Sequence, residues 1–467
     1  MYSLFKAYNV KSLVIIILLL RLVFAGMSWY SYIALAISLH QFFLLFNSIG
    51  DVIPVRYLFG AFMCLQMFVG PVLAYNGLDQ FQYVNYKMQV PEAVYFSYVL
   101  PAVSLFILGL HIRAGKLSGE HLDVRRLEAF VSKNHDLPFY FIGIGFVSSI
   151  LASFFGADLA FVFYLLGGFK FIGAFLLFFT DQKLKVVPLI LVFTSIISSS
   201  LGNAMFHDLL TWTIFGGAVF AIKHKISPKV KVGLCVGFIL LAVIIQQLKG
   251  DYRLATRLQG KEAGLQTFVN LYESRSKTHS LFSMETLAPS TVRINQGFII
   301  TYIMKTVPHK VPFSEGEELK QILEAAFLPR IIAPNKLVAG DRNLFMKYTG
   351  LVLNQGTSMG LSSVGDAYLN FGVWGGCIFM FILGFLYSEV LKQFDRAASK
   401  NFPILILFTA LVFYYPIRPD SEFQTILGHL VKSCFFLWVI FKFWKEYFKE
   451  APTPLKQEAP APILATQ

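Results

Sequence analysis

The sequence predicts an all-α polytopic membrane protein, with about 12 transmembrane helices and one large, partly helical extracytoplasmic loop between the ninth and tenth spans. Three observations carry this expectation. Hydrophobic residues make up 56% of the 467-residue chain and charged residues 14%, with 49 Phe and a positive mean hydropathy, more apolar surface than a water-soluble domain buries. Apolar runs of bilayer length recur from end to end. Lys and Arg gather in alternate short connections, as they do on the cytoplasmic side of a membrane. The net charge of +13 therefore sets topology and meets lipid head groups, and nucleic acid is not the partner it implies. Cys64, Cys235, Cys377 and Cys434 all lie inside apolar runs without paired spacing, so they read as small hydrophobes, not as a disulfide frame or metal site.

The first apolar run, 12–26, follows Lys6 and Lys11 and contains Arg21, which favours an uncleaved first helix over a signal peptide. Further runs lie at 29–47, 57–75, 94–112, 138–156, 160–180, 186–201, 204–222, 230–248, 367–390, 402–416 and 423–443. The basic connections are the N-terminus, Arg56, 113–133, Lys183/Lys185, 223–231, 392–400 and the tail from Lys442. Their alternation places both termini in the cytoplasm and 249–366 on the opposite face. The chain divides accordingly into an N-terminal transmembrane bundle (1–248), a large extracytoplasmic loop (249–366), C-terminal transmembrane helices (367–450) and a Pro-rich tail (451–467) expected to be disordered and cytoplasmic. No internal repeat relates the two halves, which weighs against a transporter. The charges inside spans, Arg21, Asp158, Lys170 and the pair His207/Asp208, read as snorkelling or local pairing rather than as an ion path.

Within the large loop, Lys249, Arg253, Arg257 and Lys261 recur at four-residue steps. If the preceding helix persists past Gly250 they form one cationic stripe, fit for lipid phosphates or for a ligand. A second helix is expected over 290–306, too bracketed by Arg293 and Lys305 to be another crossing. A third begins at the capping-box pair Ser314/Glu317, with Leu319, Ile322, Leu323, Ala326 and Phe327 on one face and Pro329 ending it. The polar run from Gly356 to Gly365 is either a flexible linker or a Gly- and Ser-rich backbone fit for sugars or phosphates. Asp366, Tyr368 and Asn370 then open the tenth span at the outer face, and Arg418, Asp420 and Glu422 occupy the last outer connection. Motifs for nucleotide-sugar-bound metal, zinc proteases, serine hydrolases, nucleotide loops and dithiol redox chemistry are missing. A cation-rich outer surface on an apolar body suits an amphiphile with an anionic head, above all a lipid-linked diphosphate.

Lys249-Gly250-Asp251-Tyr252-Arg253, Phe327-Leu328-Pro329-Arg330 continuing to Pro334-Asn335-Lys336, Thr357-Ser358 through Asp366-Ala367-Tyr368-Leu369-Asn370-Phe371-Gly372, and Arg418-Pro419-Asp420 resemble the bacterial oligosaccharide repeat-unit polymerases, the Wzy-type O-antigen and exopolysaccharide polymerases. The related O-antigen ligases share the layout, and a lipid-linked oligosaccharide flippase is the alternative of another class. Where the family is associated with a Glu beside Tyr-x-Asn-Phe-Gly, this chain has Asp366. The resemblance implies an enzyme of the bacterial inner membrane that polymerises polyprenyl-diphosphate-linked repeat units without cofactor or metal, with membrane lipids and a chain-length regulator as further partners. It places Lys249, Arg253, Arg257 and Arg330 with the diphosphate, Arg293 and Arg418 as further cations, and Tyr368 and Asn370 on the substrate. Asp366 is the first acceptor-side group and His279 the second, a solvated loop histidine being the plain alternative for the latter. The expected geometry brings the 249–257 stripe and the 356–370 run together, with Arg330 between them.

Overall fold

A computed structural model describes residues 8–112, 121–152, 154–155, 157–181, 183–278, 294–328, 332–333, 336–337, 340, 342–354 and 359–449. The described residues are helical, with no strand among them.

Helices α1 (Val10–Val23) and α2 (Trp29–Ser48) start at side-chain caps: Asn9 Oδ1 accepts from Ser12 N and Ser28 Oγ from Ser31 N. Helix α3 (Val55–Tyr75) contains a π turn at Leu65–Val69, and α4 (Glu92–His111) follows. The first Glu of α4 accepts the hydroxyls of Ser28 and Ser31 at 2.6 Å each, pinning the start of α2 to it. The amphipathic α5 (Val124–Lys133), capped by Asp123, buries Leu127, Phe130 and Val131. Then come α6 (Leu137–Leu151), α7 (Ala157–Gly167), α8 (Phe169–Leu177), α9 (Val186–Gly202) and α10 (His207–His224). Helix α11 (Pro228–Arg257) starts at a Ser227 cap with Pro228 in its first turn, and α12 (Leu265–Thr278) folds back onto it. The outer segment supplies α13 (Gly297–Thr306), α14 (Glu317–Phe327) and α15 (Arg342–Thr349); α16 (Ser362–Lys400), α17 (Pro403–Val412), α18 (Phe423–Phe443) and α19 (Lys445–Phe448) close the chain.

Among the described residues seven helices are long and apolar enough to cross a membrane: α2, α3, α4, Leu159–Leu177 of α7 and α8, α11, α16 and α18. Helices α6, α9 and α17 are apolar but shorter. At 1.5 Å per residue a helix of about 15 residues spans roughly 22 Å against a hydrocarbon core of about 30 Å, so length alone does not make crossings of these three. The core is the packing of α4 on α16, where glycines let the backbones touch. A Cβ on Gly109 would lie 2.3 Å from the Phe381 carbonyl oxygen, and one on Gly384 2.2 Å from that of Phe106. Phe59 fills the neighbouring layer, 4.7 Å from Tyr387 and 6.0 Å from Phe106 between ring centres. Helix α11 stands almost clear of this core, with 6% of its most apolar stretch buried.

The outer helices differ in detail from the expected ones. Helix α13 starts at Gly297, and residues 290–293 of the expected segment lie outside the described residues. It is tucked among the spans: Phe298, Ile299, Ile300 and Ile303 are buried, and Gln296 N donates to Gln66 O. At α14 the Ser314 hydroxyl accepts from Glu318 N at 2.9 Å, one residue beyond the expected box partner, because Gly316 at φ +95° adds a left-handed step. Its buried face is Glu318, Ile322, Ala325 and Ala326, while Leu323 and Phe327 are exposed. Helices α12 and α15 were not expected from periodicity. The tail 451–467 lies outside the described residues.

Candidate functional site

Helix α11 runs through Gly250 to Arg257, so Arg253 and Arg257, one turn apart, share a face. That face meets the end of α9. Arg253 Nε donates to the Ala204 carbonyl at 3.1 Å, an Arg257 guanidinium nitrogen to the Asn203 carbonyl at 2.9 Å, and the Tyr252 hydroxyl to the Leu201 carbonyl at 3.1 Å. The last carbonyls of a helix lack intrahelical partners and carry partial negative charge, which the two guanidiniums satisfy. Three residues later α10 opens with His207 and Asp208. The Asp208 carboxylate accepts His207 Nε2 at 2.5 Å and the Tyr414 hydroxyl. Tyr414 comes from the connection after α17 and lies against Trp212 of α10, ring centres 5.7 Å apart.

Two more cations act on Asp208 through space. Arg418, one turn beyond Tyr414, sits over the Tyr415 ring at 5.5 Å and 3.6 Å from Asp420. Lys170 of α8 lies between the Phe146 and Phe171 rings, 5.4 Å from each. The outcome is a half-buried carboxylate and imidazole under the influence of Arg418 and Lys170, just past the carbonyls that hold the α11 arginines. Such a place offers guanidinium forks for phosphate oxygens and a His–Asp pair for a proton.

Asp366 belongs to a second cluster. Gly372, at φ +64° and ψ −157°, breaks α16, and residues 362–370 before the break sink against α13 and α14, while Phe371 stays exposed. Asp366 is 5% exposed and accepts from Phe423 N at 3.3 Å. It lines a small cavity with Ile322, Phe345, Met359, Glu422 and Gln424. Asn370 and Tyr368 are structural here. The Asn370 side chain accepts from Leu319 N and donates to the Asp366 carbonyl, while Tyr368 packs on Tyr98 and Phe313. Glu318 accepts from Lys347 Nζ and the Tyr348 hydroxyl, each at 2.8 Å.

Arg418 thus acts on the His207–Asp208 pair, while Arg253 and Arg257 reach the Ala204 and Asn203 carbonyls three and four residues before His207, with Lys249 one turn earlier on α11. Asp366, Tyr368 and Asn370 are drawn to the α13–α14 side. Contacts of residues 414–423 join the two: Tyr414 reaches Asp208, and Phe423 N reaches Asp366. His279, Arg293 and Arg330 lie outside the described residues. Sequence reasoning passed over His207, Asp208, Lys170 and Tyr414 as site residues. Their one signal was an acid beside a histidine at the mouth of an apolar run, and local pairing accounts for that equally well. Among the described residues no three His, Cys, Asp or Glu side chains gather as ligands for a metal ion.

No family model, curated protein or solved structure matches this chain.

Proposed function

We propose that the protein is a membrane glycosyltransferase that polymerises polyprenyl-diphosphate-linked oligosaccharide repeat units into O-antigen or exopolysaccharide at the extracytoplasmic face of a bacterial inner membrane. The observation that supports this reading is a His207–Asp208 pair influenced by Arg418 and Lys170, which follows by three to four residues the Asn203 and Ala204 carbonyls that hold Arg257 and Arg253. A departing diphosphate develops negative charge that preorganised cations stabilise. In this reading the acceptor hydroxyl oxygen bonds to the donor's anomeric carbon as the bond to the diphosphate breaks. The hydroxyl proton passes to His207, whose other nitrogen Asp208 holds. The leaving diphosphate remains with Arg418 and the α11 arginines, and Arg330, Arg293 and Lys249 extend the cationic surface from the loop. Asp366 holds an acceptor hydroxyl from its own cavity.

The reading includes the topology of about 12 spans, both termini cytoplasmic and 249–366 outside, which the alternation of basic connections supports. The test is purified protein incubated with one defined lipid-linked repeat unit. A ladder of lengthened products is expected. Transfer only when lipid A core is added assigns a ligase instead, and movement across a vesicle membrane without lengthening assigns a flippase.

A further inference from the structure

Helix α14 presents three sectors to its surroundings. Glu318, Ile322, Ala325 and Ala326 are buried, and Glu317, Lys320, Gln321 and Glu324 are exposed and polar. Between the two, on the side bounded by Ala326 and Lys320, runs a row of Leu319, Leu323 and Phe327 at four-residue steps. Such a row turns about 40° around the helix with each step. Leu319 is half-buried, Leu323 exposed and Phe327 59% exposed, so the row winds out of the core into the open. Leu328 and Ile332, beyond the helix end, are exposed as well. Protein against one sector, open apolar carbon beside it and charge on the third is the pattern of a helix lying at a membrane surface.

The spans set its depth. The Asn370 side chain, just before the break in α16, accepts from Leu319 N, and Ile322 shares a cavity with Glu422 and Gln424 where α18 begins. About the break, Phe371, Trp374, Ile378 and Ile382 form one exposed apolar stripe along α16, a helix long and apolar enough to cross a membrane. Such a stripe faces lipid, and Trp374 at its upper end is of the residue type that gathers at membrane boundaries. The stripe reaches α14: a Cβ on Gly316, where α14 begins, would lie 3.6 Å from the Phe371 ring. The lipid-facing surface of α16 is therefore continuous with the helix that carries Leu323 and Phe327.

We propose that this flank of α14 docks on the nearer leaflet of the protein's own membrane, Leu323 and Phe327 entering the acyl region and Lys320 reaching the phosphates at its edge. The proposal rests on the spans and is independent of the polymerase reading. Full-length protein is placed in nanodiscs of phosphatidylethanolamine and phosphatidylglycerol, with photoreactive p-benzoylphenylalanine at Phe327, at Gln321 on the polar sector, or at Trp374 on the α16 stripe. After irradiation the intact mass is measured. Phe327 and Trp374 are expected to gain the mass of one phospholipid, and Gln321 to gain none. An adduct at Trp374 without one at Phe327, or equal adducts at Phe327 and Gln321, overturns the docking. A cross-linked dimer from Phe327 overturns it in favour of a second copy of this chain.

Discussion

The Tyr414 hydroxyl donates to the Asp208 carboxylate across 206 residues of sequence, joining the start of α10 to the connection before α18. A hydrogen bond to a charged acceptor contributes about 1.5–3 kcal/mol when shielded, and the 42% exposed Asp208 side chain puts this one at the lower end. Tyr414→Phe is therefore expected to lower unfolding stability by about 1.5 kcal/mol. Asp208→Asn, which keeps shape but not charge, is expected to cut repeat-unit lengthening at least tenfold, as about 1.4 kcal/mol in the barrier does. Thermal unfolding in detergent and product ladders check the two. Full lengthening by Asp208→Asn would sink the role given to the His207–Asp208 pair.

Arg418 separates charge from shape. If its planar fork holds the diphosphate, Arg418→Lys retains the charge yet loses paired hydrogen bonds, so its ladder shortens nearly as much as that of Arg418→Ala. Near-normal ladders from the Lys variant would show that only the field matters. Arg330→Ala is expected to insert and fold while leaving single repeat units. Long chains from that variant would remove Arg330 from the site.

Arg253 and Arg257 each satisfy a carbonyl at the end of α9, so their removal has a structural cost separable from catalysis. Each Arg→Ala change is expected to destabilise by about 1 kcal/mol. It should also speed hydrogen exchange at the α9–α10 turn, readable by mass spectrometry. Unchanged exchange there would mean the contacts are not maintained.

Gly372, at φ +64° and ψ −157°, occupies a region of backbone space that is essentially glycine's, and the Phe313 ring lies 3.4 Å from where a Cβ would stand. Gly372→Ala is expected to cost about 1–3 kcal/mol and to loosen Asp366 and Asn370, which the break positions. Limited proteolysis near Ser314 reports the loosening. Wild-type resistance there would count against the coupling.

Glu318 holds the Lys347 ammonium above its usual range through their hydrogen bond, and burial raises the Tyr348 phenol. A folded-state pKa above the unfolded value means that the stabilisation is complete below the unfolded pKa and lost as pH climbs through the folded one. Both groups therefore put the loss at alkaline pH, above about 10. Glu318→Gln is expected to lower stability near neutrality and to flatten the alkaline decline. Unfolding followed from pH 8 upward decides, and an unchanged alkaline slope would contradict the linkage.

Local pattern determined much of this protein. Apolar runs placed most of the apolar helices within a few residues, though α11 and α16 run nine and ten residues past the expected ends at 248 and 390; Ser314 announced α14, and the four-residue spacing of Arg253 and Arg257 required only that α11 continue past Gly250. Those features were legible because the partners lie one or two turns apart, where helix geometry alone dictates who meets whom. Where each apolar helix breaks, which outer face is buried and what each charge touches were decided by tertiary structure. His207 and Asp208 read as a local pair until Tyr414 and Arg418 arrived from the far end of the chain. Asp366, expected at the outer face of the tenth span, is enclosed in a segment that the Gly372 break separates from the rest of α16. Periodicity in one segment carries no term for a neighbour hundreds of residues away, so long-range packing alone assigned these side chains their partners.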